Sequence, residues 1–141
     1  MRLVLDTNVV ASALLWGGTP RLLLQAARDR RVELFTSMAL LAELTDILGR
    51  RKFDKKIAAS LRSIDQLVDR YAELATLVRP TPTPRVAPDP DDDVVIGTAL
   101  AAKADIIVTG DRMLLTVRDH RGVVLLAVND ALSRLGAQSK A

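Results

Sequence analysis

The chain contains no cysteine and a single histidine, and aromatic residues occupy only 3% of its 141 positions. Without cysteine there are no disulfides and no thiolate chemistry, which is compatible with a reducing compartment. The scarcity of aromatics argues against RNA recognition by stacking bases on aromatic platforms. No apolar run approaches the length of a membrane helix, so no membrane association is expected. The opening Met1-Arg2-Leu3-Val4-Leu5 looks faintly like a signal peptide, and Ala11-Ser12-Ala13 imitates a cleavage site. Asp6 and Asn8, however, interrupt the stretch where unbroken apolar residues are required, and a cytoplasmic location is expected.

What remains is rich in core-forming residues. Hydrophobic residues make up 49% and charged residues 26%, which excludes a disordered chain. The length suits one domain spanning 1–141 with a substantial core. So high an apolar share also suggests that a partner covers part of the surface. The net charge is +3 and the pI about 9.7. Setting aside five acids that converge on one site leaves a formal +8 elsewhere. A basic surface around an acidic pocket suits a polyanionic substrate.

Short apolar runs alternate with helical patterns. Leu3-Val4-Leu5 reads as a buried strand, followed by a short helix over 9–16 that ends at Gly17-Gly18. Thr19-Pro20 reads as an N-cap with proline at the first helical position, opening a helix to about Arg31. A second strand covers 32–35, and Ser37 caps a third helix running to about Gly49. Over 54–77, Ile57, Leu61, Ile64, Val68, Tyr71 and Ala75 recur at spacings of three and four, as one face of a long helix requires. Pro80, Pro82 and Pro84 mark an extended connector. A helix over 91–103, a strand over 105–109, a strand over 123–127 and a helix capped by Asn129 and closed by Gly136 complete the chain. This order predicts a three-layer α/β sandwich: a central parallel sheet of four to five strands with helices on both faces.

In such sheets ligands bind beyond the carboxyl ends of the strands, where Asp6 and Asp111 fall. Asp6 follows the first strand, with the Thr7 hydroxyl and the Asn8 amide near enough to orient it. Glu43 lies on a helical face between Leu40 and Ile47, where a carboxylate is costly without a compensating partner. The run Asp89-Pro90-Asp91-Asp92-Asp93 holds more acids than a cap needs. Helical phase selects Asp92 as the principal inward group, with Asp93 second, Asp91 facing solvent and Asp89 a turn residue beside Pro90. Asp111 follows Val108-Thr109-Gly110. Each acid taken singly could be a helix cap or an edge residue; together they fall on one side of the sheet. Clustered carboxylates repel. With neither sulfur nor imidazole among them, they point to Mg²⁺ or Mn²⁺, one ion or two, and to phosphodiester chemistry.

These residues resemble the PIN-domain nucleases. The likeness runs from Arg2 to about Leu126 and is carried by Leu3-Val4-Leu5-Asp6-Thr7-Asn8-Val9-Val10, the 37–48 segment with Glu43, and 89–111 with Ala99-Leu100 and Ile107-Val108-Thr109-Gly110-Asp111. Within that family the chain looks most like stand-alone prokaryotic toxins of the VapC type. The resemblance implies Mg²⁺- or Mn²⁺-dependent cleavage of single-stranded RNA, a homodimer, and a small antitoxin protein that blocks the site. It places Asp6, Glu43, Asp92 and Asp111 on the family's acidic quartet, with Asp93 as a helper and Asn8 and Thr109 as polar residues near the metal.

Arg50-Arg51-Lys52, just beyond the helix of Glu43, and Arg112 beside Asp111 are the candidate RNA-phosphate contacts. His120 in a polar loop reads as surface, and Trp16 as core or interface. Two other functions compete. One is another Mg²⁺-dependent phosphoryl-transfer enzyme on a similar sheet. A phosphatase of the haloacid-dehalogenase type needs a second Asp at position 8, which is Asn, and a receiver domain needs paired acids after the first strand. The other is a non-catalytic RNA-binding or scaffold protein, against which the intact acidic set argues.

Overall fold

The structure, a computed structural model, describes residues 1–83, 85–89 and 92–139. Asp91, expected to face solvent, and prolines 84 and 90 lie outside the described residues. The elements run β1 (Arg2–Leu5), α1 (Thr7–Leu15), α2 (Thr19–Arg28), β2 (Glu33–Thr36), α3 (Met38–Leu48), a 3-10 turn (Arg51–Phe53), α4 (Asp54–Ser60), α5 (Ile64–Leu74) and β3 (Ala75–Leu77). They continue with α6 (Asp93–Ala102), β4 (Ile106–Val108), α7 (Arg112–Leu115), β5 (Asp119–His120), β6 (Val123–Leu126) and α8 (Val128–Ser139). The expected α/β architecture is present.

The sheet has six strands in the order β3-β2-β1-β4-β6-β5, one more than the upper expectation. All neighbours are parallel except β5 and β6. Leu3 and Leu5 face one core cluster with Leu34, Ile106, Val108 and helices α1, α2, α3, α5 and α8. Val4, Phe35, Ile107 and Leu125 point the other way, onto α6 and Leu114 of α7. The two-residue alternation of a pleated strand thus sends one strand's side chains into both layers. From β1 the chain winds outward through β2 and β3, and from β4 it winds the opposite way through β6. The boundary between β1 and β4 is therefore the switch point of the sheet, where a crevice opens at the strands' carboxyl ends.

Three expected elements differ. The apolar stripe over 54–77 is not one helix: Leu61 takes a left-handed φ of 58°, and Ser63 opens α5 with a reciprocal capping box to Gln66. The chain then extends as β3 instead of completing the stripe, and Leu61, expected on the face that packs on the domain or on a second subunit, is 92% exposed in the chain. Ile57, Ile64, Val68 and Tyr71 still reach one core cluster, because the turn preserves the apolar phase across the break. Thr19 is not a cap. Gly18, at φ 107°, holds that position, and Thr19 and Pro20 begin the helix. Gly136 lies within α8 instead of closing it, and the helix starts at Val128, one residue before Asn129.

The proline-rich connector straps α6 at two points. The Thr81 amide donates to Gly97 O at 3.0 Å, and a Cβ at Gly97 would sit 2.5 Å from Thr81 O. Farther on, Asp93 Oδ1 accepts from the amides of Val86 at 3.0 Å and Ala87 at 2.8 Å. Among the described residues no helix is long and apolar enough to cross a membrane.

Candidate active site

Asp6 is set by the strand that precedes it. Its amide donates to Val108 O at 2.9 Å, carrying the β1–β4 pairing one residue past the strand. With extended backbone the side chain turns onto α1, and Oδ1 accepts from the Thr7 amide at 2.8 Å. Oδ2 accepts from the Thr109 hydroxyl at 2.7 Å, and the residue is only 5% exposed. Both oxygens are thus oriented, and each keeps a second lone pair for another partner. Thr109, fully buried, accepts in turn from the Asp111 amide at 3.1 Å. An N–H to hydroxyl to carboxylate chain therefore ties the loop after β4 to the end of β1.

Thr7 joins a third acid to this pair. Its hydroxyl, expected to orient Asp6, instead donates to Glu43 Oε1 at 3.0 Å, while its amide serves Asp6. Glu43 itself is exposed, at the edge of the stripe formed by buried Leu40, Leu44 and Ile47. The burial cost expected for it is absent; what places it is the bond across from α3 to α1. Asn8 is exposed on the first turn of α1. Asp111 caps α7, with Oδ1 accepting from Met113 N at 2.8 Å and Leu114 N at 3.4 Å.

Asp92, half-buried at the N-terminus of α6, is the electrostatic centre of the group. Burial pushes its carboxyl up from 3.8 to about 6, and the charges of Asp6, Asp111, Asp89 and Glu43 push it the same way. All four neighbours acting on it are carboxylates, contributed by β1, the loop after β4, the connector and α3. The structure thus puts Asp92 in the field of Asp6, Glu43 and Asp111.

Two further acids of the run make contacts of their own. Asp93, expected as a helper at the metal, spends Oδ1 on two connector amides, which need an acceptor where the chain crosses α6. Asp89, read as a turn residue, does make that turn, its carbonyl accepting from Asp92 N at 3.0 Å, but its charge also acts on Asp92. The density of acids around Pro90 was the only sequence signal for it.

The donor set suits a hard divalent cation: oxygen ligands only, and an anion at Asp92 disfavoured by like charges that a cation would offset. Among the described residues no three acids are gathered closely enough to grip an ion directly.

The basic candidates lie at the margins. Arg50, Arg51 and Lys52 are exposed after α3, with Lys52 Nζ 5.0 Å from the Phe53 ring centroid, and Arg112 is exposed on α7. His120, expected in a surface loop, is half-buried in β5. Trp16 packs edge-on against Phe53, centroids 5.5 Å apart.

No curated protein and no solved structure matches the chain significantly. A family model described as PIN domain matches residues 2–113, from the start of β1 through Asp111 into α7. That stretch contains the whole acidic group and the switch point that assembles it. PIN domains are generally nucleases and typically use divalent metal ions, in keeping with the oxygen-only donor set found here. On this match, which spans well over half of its length, the chain belongs to the PIN-domain family.

Proposed function

We propose that the protein is a Mg²⁺- or Mn²⁺-dependent endoribonuclease that cleaves single-stranded RNA by water attack. The observation that carries this reading is the convergence of Asp6, Glu43 and Asp111 on Asp92 beside the ends of β1 and β4. A divalent ion held there, one or two in number, would supply Lewis-acid stabilisation of the phosphate and a more acidic water. Asp6, Glu43, Asp92 and Asp111 would hold it. Asp6 is the best-oriented of them, because Thr7 N and Thr109 Oγ1 fix its two oxygens. Asp92, whose pKa is raised to about 6, can hold a proton at its carboxylate, and a cation bound beside it would favour its charged form. Asn8 and Thr109 support the site, and Arg50, Arg51, Lys52 and Arg112 meet substrate phosphates.

The same reading makes the protein a cytoplasmic toxin whose small antitoxin partner blocks the acidic crevice, and a homodimer. Support for self-association is the apolar hollow beside edge strand β3, where Met38 is 70% and Leu77 48% exposed. The test is cleavage of a labelled single-stranded RNA by the purified protein with Mn²⁺ or Mg²⁺. Cleavage is expected to stop with EDTA and to fall at least about a hundredfold in Asp6→Asn, the scale of a lost electrostatic contact in a site. Equal cleavage by wild type and Asp6→Asn would refute the proposal.

A further inference from the structure

A second charged feature lies away from the acidic crevice. Helices α1, α2, α4 and α5 enclose a cavity of about 580 Å³ whose rim carries Arg21, Arg28, Lys56, Arg62 and Arg70, with no acid in its lining. Its floor is leucine-rich and holds no aromatic residue. Arg21 and Arg28 stand seven residues apart on one face of α2, which spaces them by about 10 Å along the helix. Arg62 and Arg70 face them from the turn after α4 and from α5. Among the described residues none of the five is ion-paired. Lys56 is steadied by the Trp16 ring, its Nζ 5.2 Å from the centroid. A smaller adjoining hollow shares Arg28 and Arg70 and ends at Glu73, which closes the positive run.

Five uncompensated cations around one groove repel one another, and a polyanion would relieve that repulsion. We infer that this groove is a binding site for the sugar–phosphate backbone of single-stranded nucleic acid. The choice of nucleic acid among polyanions rests on the nuclease reading above. Helix α1 connects the two features: Thr7 stands at the acidic crevice, and Leu14, about 10 Å farther along the helix axis, lines the groove. RNA seated in the groove is thus held near the crevice without occupying it. With no aromatic platform and no buried donor array to read bases, the contact is to phosphates and is sequence-poor.

The experiment measures anisotropy of a fluorescein-labelled 12-nucleotide RNA bound to the full-length protein in EDTA across a salt series. The proteins compared are wild type and the double variants Arg28→Gln/Arg70→Gln and Arg21→Gln/Arg62→Gln. Five phosphate contacts in the groove contribute about −3.5 to the slope of log K against log salt, and each double variant should make the slope shallower by about 1.4. Slopes and affinities unchanged in both variants overturn the inference. So does poly-L-glutamate competing as well as RNA at equal charge, since the groove would then fit an acidic polypeptide. The outcomes separate from the nuclease reading because no cleavage is needed. Wild type that binds with the expected slope but never cleaves leaves the groove intact and removes the enzyme. Variants that bind as wild type does, in a protein that cleaves, do the reverse.

Discussion

Replacing Asp92 by Asn removes one charge from the centre of the acidic group while preserving the side chain's shape. The folded-state pKa is about 6 against an ordinary 3.8, so the native state holds this proton more tightly than the unfolded chain. Stability is therefore lost as pH rises from 3.8 through about 6, and the penalty is complete above that window. A shift of about two units corresponds to a ceiling of about 3 kcal/mol. Asp92 is only half-buried, and screening by water and salt brings this to about 1–1.5 kcal/mol. Asn also loses a favourable charge at the N-terminus of α6, worth about 0.5 kcal/mol. The net expectation is a gain of about 0.5–1 kcal/mol at pH 7.5 in EDTA, or roughly 2–4 °C in Tm. At pH 4 the gain should vanish, because wild-type Asp92 is then protonated. Millimolar Mn²⁺ should raise the wild-type Tm and move the variant less, since ligand binding adds stability only to the form that binds it. Thermal melts by circular dichroism at the two pH values decide it. An Asp92→Asn variant no more stable than wild type at pH 7.5 in EDTA refutes the converging-charge picture.

Two further substitutions probe how the site is held. Thr109→Val keeps the shape but leaves Asp6 Oδ2 and the Asp111 amide without their shared partner, costing about 1–3 kcal/mol by chemical denaturation. Cleavage should fall as well, and unchanged activity would mean that the hydroxyl does not orient Asp6. Gly97→Ala gains about 1 kcal/mol of helix propensity. The new Cβ, however, meets Thr81 O at 2.5 Å, a backbone contact that must shift at a cost of about 1–3 kcal/mol or more. The variant should therefore be less stable by denaturation, and a more stable one would mean that the connector is not packed as described.

Local chemistry made part of this protein readable from sequence. The Leu3-Val4-Leu5 strand and the cap at Ser37 each depend on a few adjacent residues. So did the side of the sheet on which the acids fall, because residues that follow parallel strands share one end. The break at Leu61 was hidden, since a single left-handed residue leaves the three- and four-residue apolar phase intact and neither glycine nor proline marks it. Ser63 and Gln66, the two halves of the capping box, were the sign that the helix restarts.

The sequence by itself determined the alternation of strands and helices and the supply of carboxylates, because both follow from residue type and near-neighbour spacing. Only the tertiary structure decided what each acid does. Asp93 turns to the connector because two amides of that strap, six and seven residues earlier, need an acceptor where it crosses α6. Asp92 enters the field of Asp6 and Asp111 because β1 and β4, about a hundred residues apart in sequence, pair at the switch point. The basic groove arises the same way: α2, α4, the turn after α4 and α5 bring together five cations that no local pattern connects. Charge is written in the residues, but which charges meet depends on contacts that span the chain.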